Sequence, residues 1–145
     1  MGRCRPRRLH SDGTIHVSIF QAIRGPSSCF PIAYGCKRQG SCANSTAEAE
    51  LTSMNYALRH CGLPGIIVWK LLLPHFEVLY CHEDNQAMIR ICQTGNNPTM
   101  RYMQRTQRVS IAWLHEVFSS GELSLCYEST DKMAADIFTK ILTDF

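Results

Sequence analysis

The apolar positions of this chain change period several times, and each change marks an element. Ile15 to Ile23 and Phe30 to Tyr34 are rich in β-branched and aromatic residues, with Gly25-Pro26-Ser27-Ser28 between them. That pattern predicts two antiparallel strands joined by a turn. From Ser45 onward the spacing becomes helical: Ala47, Leu51, Met54, Leu58 and Cys61 fall on one face, and Ser45 or Thr46 can cap the start. Gly62-Leu63-Pro64-Gly65 predicts the end of this helix, and Ile66 to Leu73 a short second helix before Pro74.

Phe76 to Cys81 is a compact apolar run that predicts a strand delivering Asp84 to its C-terminal end. Asn85 to Thr94 then has helical spacing at Met88, Ile91 and Cys92, with Asp84 a candidate cap. After the loop Gly95-Asn96-Asn97-Pro98, one long helix is predicted from about Tyr102 to Phe118, stopping at Ser119-Ser120-Gly121. Leu123, Leu125 and Tyr127 alternate as in a half-buried strand, and Asp131 opens a last helix with Met133, Ile137 and Ile141 on one face. With the short second helix counted with the first, the order β, β, α, β, α, α, β, α, without an internal repeat, predicts one mixed α/β layer structure.

Composition narrows the classes. At 145 residues the chain fits a single domain with a sizeable core. Its formal charge of +3 is concentrated in Arg3, Arg5, Arg7 and Arg8, so residues 1–11 are expected to be a basic, disordered arm and residues 12–145 the folded domain. Any pull on nucleic acid must then come from that arm or from a local cluster. No apolar run approaches the ~20 residues that span a bilayer, and no signal peptide is evident. The expectation is a soluble protein of the cytoplasm or nucleus, with no membrane partner. The cysteines at 4, 29, 36, 42, 61, 81, 92 and 126 form no Cys-x-x-Cys pair, and His60, His75, His82 and His115 have no zinc-like spacing. Reduced, mostly buried thiols and no structural zinc are expected, with the histidines in surface or packing roles and Trp69 and Trp113 in the core.

The candidate chemistry lies in four acids set at the ends of apolar elements: Asp12, Glu50, Asp84 and Asp136. Carboxylate oxygens are the ligands that hard cations prefer, and two such ions roughly 3.5 to 4 Å apart can drive phosphodiester hydrolysis. Three of them have a plainer reading: Asp12-Gly13 suits a turn, Glu50 could be a solvated helix residue with Glu48 in its place, and Asp84 could simply cap the helix after it. Asp136 sits within a helix, where aspartate is a mediocre former, and that favours a functional role. Arg101, Arg105 and Arg108, with Tyr102 nearby, could line a groove for a nucleic-acid backbone, or form an ordinary solvated face.

Several blocks, in order, resemble the ribonuclease H domain that ends copia-type retrotransposon polyproteins. They are Cys36-Lys37-Arg38-Gln39 with Ser45-Thr46-Ala47-Glu48-Ala49-Glu50, then Asp84-Asn85-Gln86-Ala87, then Arg105-Thr106-Gln107-Arg108-Val109, and last Ala135-Asp136-Ile137-Phe138-Thr139-Lys140. The resemblance covers about residue 30 to the end. It implies a ribonuclease H-like mixed five-stranded sheet flanked by helices, and cleavage of the RNA strand of RNA/DNA hybrids. It also implies two Mg²⁺ ions, with Mn²⁺ as a substitute, held by Asp12, Glu50, Asp84 and Asp136 as catalytic residues. A reverse transcriptase domain in the same polyprotein is the implied partner. Because Arg7-Arg8-Leu9-His10 stands where an apolar first strand would lead to Asp12, a degraded first strand and an inactive, nucleic-acid-binding remnant form the alternative. A related nuclease acting on duplex or branched DNA is a third reading.

Overall fold

A computed structural model describes residues 2–6 (as backbone), 16–40, 42–73, 75–76 and 78–129. Asp12, Asp136 and the helix expected from Asp131 lie outside the described residues.

The fold is mixed α/β, as the pattern predicts. Its strands are β1 (Gly2–Pro6), β2 (His16–Arg24), β3 (Cys29–Arg38), β4 (Leu79–Glu83) and β5 (Leu123–Tyr127). The helices are α1 (Thr46–Ala57), α2 (Leu63–Leu72), α3 (Gln86–Thr94), α4 (Met103–Thr106) and α5 (Ile111–Ser119). β2 and β3 form the expected hairpin, antiparallel from His16 opposite Arg38 to Arg24 opposite Cys29, with a bulge at Gln21/Ala22. β4 and β5 pair in parallel, Leu79 opposite Leu123 through Glu83 opposite Tyr127. β1 lies between the two pairs, antiparallel to β2 and parallel to β4, giving the order β3-β2-β1-β4-β5.

β1 places residues 2–6 of the stretch expected to be a disordered arm in a strand; residues 7–11 lie outside the described residues. Its sequence, Gly-Arg-Cys-Arg-Pro, carries no apolar alternation, so no pattern marks it. The strand is placed by backbone pairing with a neighbour on each side, β2 and β4. Pro6, which cannot donate to a ladder, is its last residue.

Two helix boundaries also differ. The break expected at Gly62-Leu63-Pro64-Gly65 is a π turn, Leu58–Gly62, through which α1 runs on into α2. There the Leu63 N–H reaches back to the Leu58 carbonyl, a five-residue span. The wider turn makes room for Pro64, whose ring would otherwise strike the carbonyl four residues earlier and which has no N–H to give. In the second case, the long helix expected from Tyr102 to Phe118 is split into α4 and α5. Arg108 adopts φ 56° and reverses the chain, the Val109 N–H bonds the Met103 carbonyl, and Ser110 caps α5 by accepting the Trp113 N–H at 3.2 Å. Both Met103 and Val109 are buried, although on one straight helix they would stand about 120° apart.

α1 packs on β1 and β2, α3 against α1, and α5 against α3 and β5. Leu51, Met54, Leu58, Leu79, Met88, Cys92, Met103, Leu114 and Leu123 form the core between them. The thiols are less buried than expected. Among the described residues Cys81 and Cys92 are buried, Cys61 and Cys126 half-buried, and Cys29, Cys36 and Cys42 exposed, all unpaired.

Candidate metal centre

β4 sets up the site. The strand begins later than its apolar run suggests, and its side chains alternate: Leu79, Cys81 and Glu83 turn into the core, Tyr80 and His82 away from it. Glu83 is therefore driven under the helices by the same alternation that buries Leu79 and Cys81. The chain then turns into α3, capped by Asn85, whose side chain accepts the Met88 N–H at 3.1 Å. The cap is Asn85 and not Asp84, and the Asn85 N–H is itself held by Glu83 Oε1 at 3.0 Å.

α1 supplies the other side. Glu48 and Glu50 are two residues apart, so they project about 200° from one another. Both are fully buried, and their surroundings separate them. The Glu48 carboxylate accepts from the Asn44 N–H at 2.7 Å, the Tyr102 hydroxyl at 3.0 Å and the Gln107 amide. Gln107 also bonds the Cys42 carbonyl and accepts from the Thr52 hydroxyl at 2.6 Å. Glu48 thus closes a variant capping box with Ser45 and ties the loop before α1 to the segment around α4. Glu50 turns the other way. Oxygens of Glu50, Glu83 and Asp84 lie within 4.8 Å of one another.

Of the four acids expected from sequence, the structure brings Glu50 and Asp84 together, while Asp12 and Asp136 lie outside the described residues. Glu83 was missed. The signal that could have found it is register: with Leu79 and Cys81 facing the core, position 83 must as well. β1, β4 and β5 run in the same direction, and Glu83 and Asp84 stand at the carboxyl end of β4, the side of the strands where ligands gather in open α/β sheets. Arg101, Arg105 and Arg108 are exposed as expected but do not form one helical row. Arg101 lines an open groove of about 320 Å³ with Asn96, Asn97 and Gln104, Arg105 is on α4, and Arg108 is in the turn.

The donor set fits a hard divalent cation. All three groups are carboxylates, and Glu83 Oε2 is buried with no hydrogen-bond partner among the described residues. Burial, and then the charge of Asp84, push the Glu83 carboxyl up to about 8, against the pull of the Asn85 N–H. Between the ordinary glutamate value of 4.5 and about 8 the folded protein holds a proton that the unfolded chain has released. Stability of the metal-free protein from this group is therefore greatest below about 4.5, falls as pH rises through that window, and levels off above it. Urea midpoints measured in EDTA at pH 5 and pH 8 should fall for the wild type and change less for Glu83→Gln.

No protein-family model matches the chain, and no solved structure matches it significantly. No helix among the described residues is long and apolar enough to cross a membrane.

Proposed function

We propose that this chain is a ribonuclease H-like domain that hydrolyses the RNA strand of RNA/DNA hybrids with Mg²⁺, with Mn²⁺ as a substitute, as the terminal part of a retrotransposon polyprotein. The observation that carries the reading is the meeting of Glu50 with Glu83 and Asp84, residues from separate elements, in one acidic cluster. The strand order β3-β2-β1-β4-β5 and the helix α1 laid across β1 and β2 support it. So does the separation of Glu48 into a structural network, which leaves Glu50 as the α1 acid of the site.

Bound divalent ions would supply activation of a water and stabilisation of the leaving oxygen. Glu50 and Asp84 would hold them, and Glu83 would bind once its proton is displaced. Near neutral pH the Glu83 carboxyl keeps that proton and so lowers the repulsion among three close carboxylates. The main chain contributes rigidity: the Glu83–Asn85 contact fixes the turn at the end of β4, and the Asn85 cap fixes the first turn of α3. Recognition of the hybrid would rest on its shape and 2′-hydroxyls and be largely independent of sequence. Arg101, Arg105 and Arg108 would supply salt-sensitive backbone contacts.

The test is cleavage of an RNA/DNA hybrid, duplex DNA and a four-way junction side by side, with Mg²⁺ and with EDTA. Cleavage of the RNA strand of the hybrid alone supports the proposal. Preference for the junction or duplex would move the reading to a DNA nuclease, and a folded protein that cleaves none would be a remnant.

A further inference from the structure

Away from the acidic cluster, the outer face of α1 and the turn after it carry a second set of groups. Tyr56 and Trp113 are half-buried rings packed against the core. Each has a flat, exposed group laid on it. The His60 ring stacks on Tyr56 with centroids 3.9 Å apart and planes 25° apart. The Arg59 guanidinium lies 4.1 Å from the centre of the Trp113 ring. Both are also pinned within their planes: His60 Nδ1 meets the Tyr56 carbonyl at 2.9 Å, and Arg59 Nε donates to Asn55 Oδ1 at 3.1 Å. Lys37 Nζ reaches over the same Tyr56 ring from β3, 5.2 Å from its centre.

The result is a row that crosses from the edge strand to α5: Lys37, Tyr56 with His60, Arg59 with Trp113. Arg59, His60 and Lys37 are exposed, and no carboxylate among the described residues forms an ion pair with Lys37 or Arg59. Long side chains held flat in this way lose little further freedom when a ligand stacks on them. Bases stack on histidine rings and on arginine planes, and a base can offer its face only when it is unpaired.

We propose that Arg59 and His60 form two stacking platforms for the bases of a single-stranded nucleic acid, with Lys37 beside them for its phosphates. The surface binds without metal and without sequence preference, and does not depend on the nuclease reading of the acidic cluster. In a domain that processes hybrids it would hold an unpaired extension of the substrate.

Fluorescence anisotropy with a short labelled single-stranded oligodeoxynucleotide, in EDTA at low and moderate salt, tests this. The Arg59→Ala, His60→Ala double variant should bind about tenfold or more weakly than wild type, since one stacked base contributes on this scale. Arg59→Lys retains the charge and loses the plane, and should also weaken binding. Asp84→Asn should bind the strand as wild type does, even though it is expected to lose cleavage. Equal binding by Arg59→Lys and wild type, or competition by polyglutamate as strong as by unlabelled oligonucleotide, would reduce the row to a charged surface and overturn the proposal. Loss of binding in Asp84→Asn would overturn its independence from the acidic cluster. Should the double variant unfold, Arg59→Lys still decides.

Discussion

Asp84→Asn is expected to reduce Mg²⁺-dependent cleavage of a hybrid by roughly a hundredfold or more, the scale set by removing one preorganised charge contact from a reacting phosphate site, while leaving the fold intact. Asp84 lies just beyond β4 and does not cap α3, so asparagine there removes a carboxylate oxygen without disturbing a helix start. Glu50→Gln should show a comparable loss. Glu83→Gln should be milder near neutral pH, because the glutamine resembles the protonated acid already present. Rates with each variant, set beside circular dichroism spectra, check the ordering. Full activity in folded Asp84→Asn would remove Asp84 from the site.

Glu48→Ala has the other large expected effect, and it falls on stability. The buried carboxylate is the shared acceptor for the Asn44 N–H, the Tyr102 hydroxyl and the Gln107 amide, so truncation takes the acceptor from all three donors and leaves a void at a fully buried position. About 3 kcal/mol is expected for such a loss, or roughly 6 to 12 °C in Tm for a domain of this size. Glu48→Gln keeps one acceptor oxygen and should lose less. Thermal unfolding of the three proteins measures this directly. If Glu48→Ala were as stable as wild type yet inactive, the roles given to Glu48 and Glu50 would have to be exchanged.

That exchange was open in the sequence because both glutamates come after the same cap, and only their angle around α1 separates them. Much else was legible. The hairpin of β2 and β3, α1 with its Ser45 cap, α3 and β5 all follow from periodicity and caps, because each buries one face and the spacing records it. The features that were not legible depended on tertiary partners. β1 is a strand held between neighbours with no apolar pattern of its own. The π turn lets a helix pass a proline that local chemistry reads as a stop. Arg108 takes a left-handed conformation because burying Val109 beside Met103 requires a reversal there, and no glycine announces it. Glu83 was hidden for a similar reason, since the strand runs two residues past the end of its apolar run and the alternation that buries Leu79 and Cys81 carries position 83 inward as well.

Diffraction from crystals soaked in Mn²⁺, with anomalous differences collected at the manganese edge, tests whether the acidic cluster holds a cation. An anomalous peak coordinated by carboxylate oxygens of Glu50 and Asp84, lost in Asp84→Asn, is the expected result. Manganese bound only elsewhere on the protein, or no peak beside these residues at millimolar ion concentration, would contradict it.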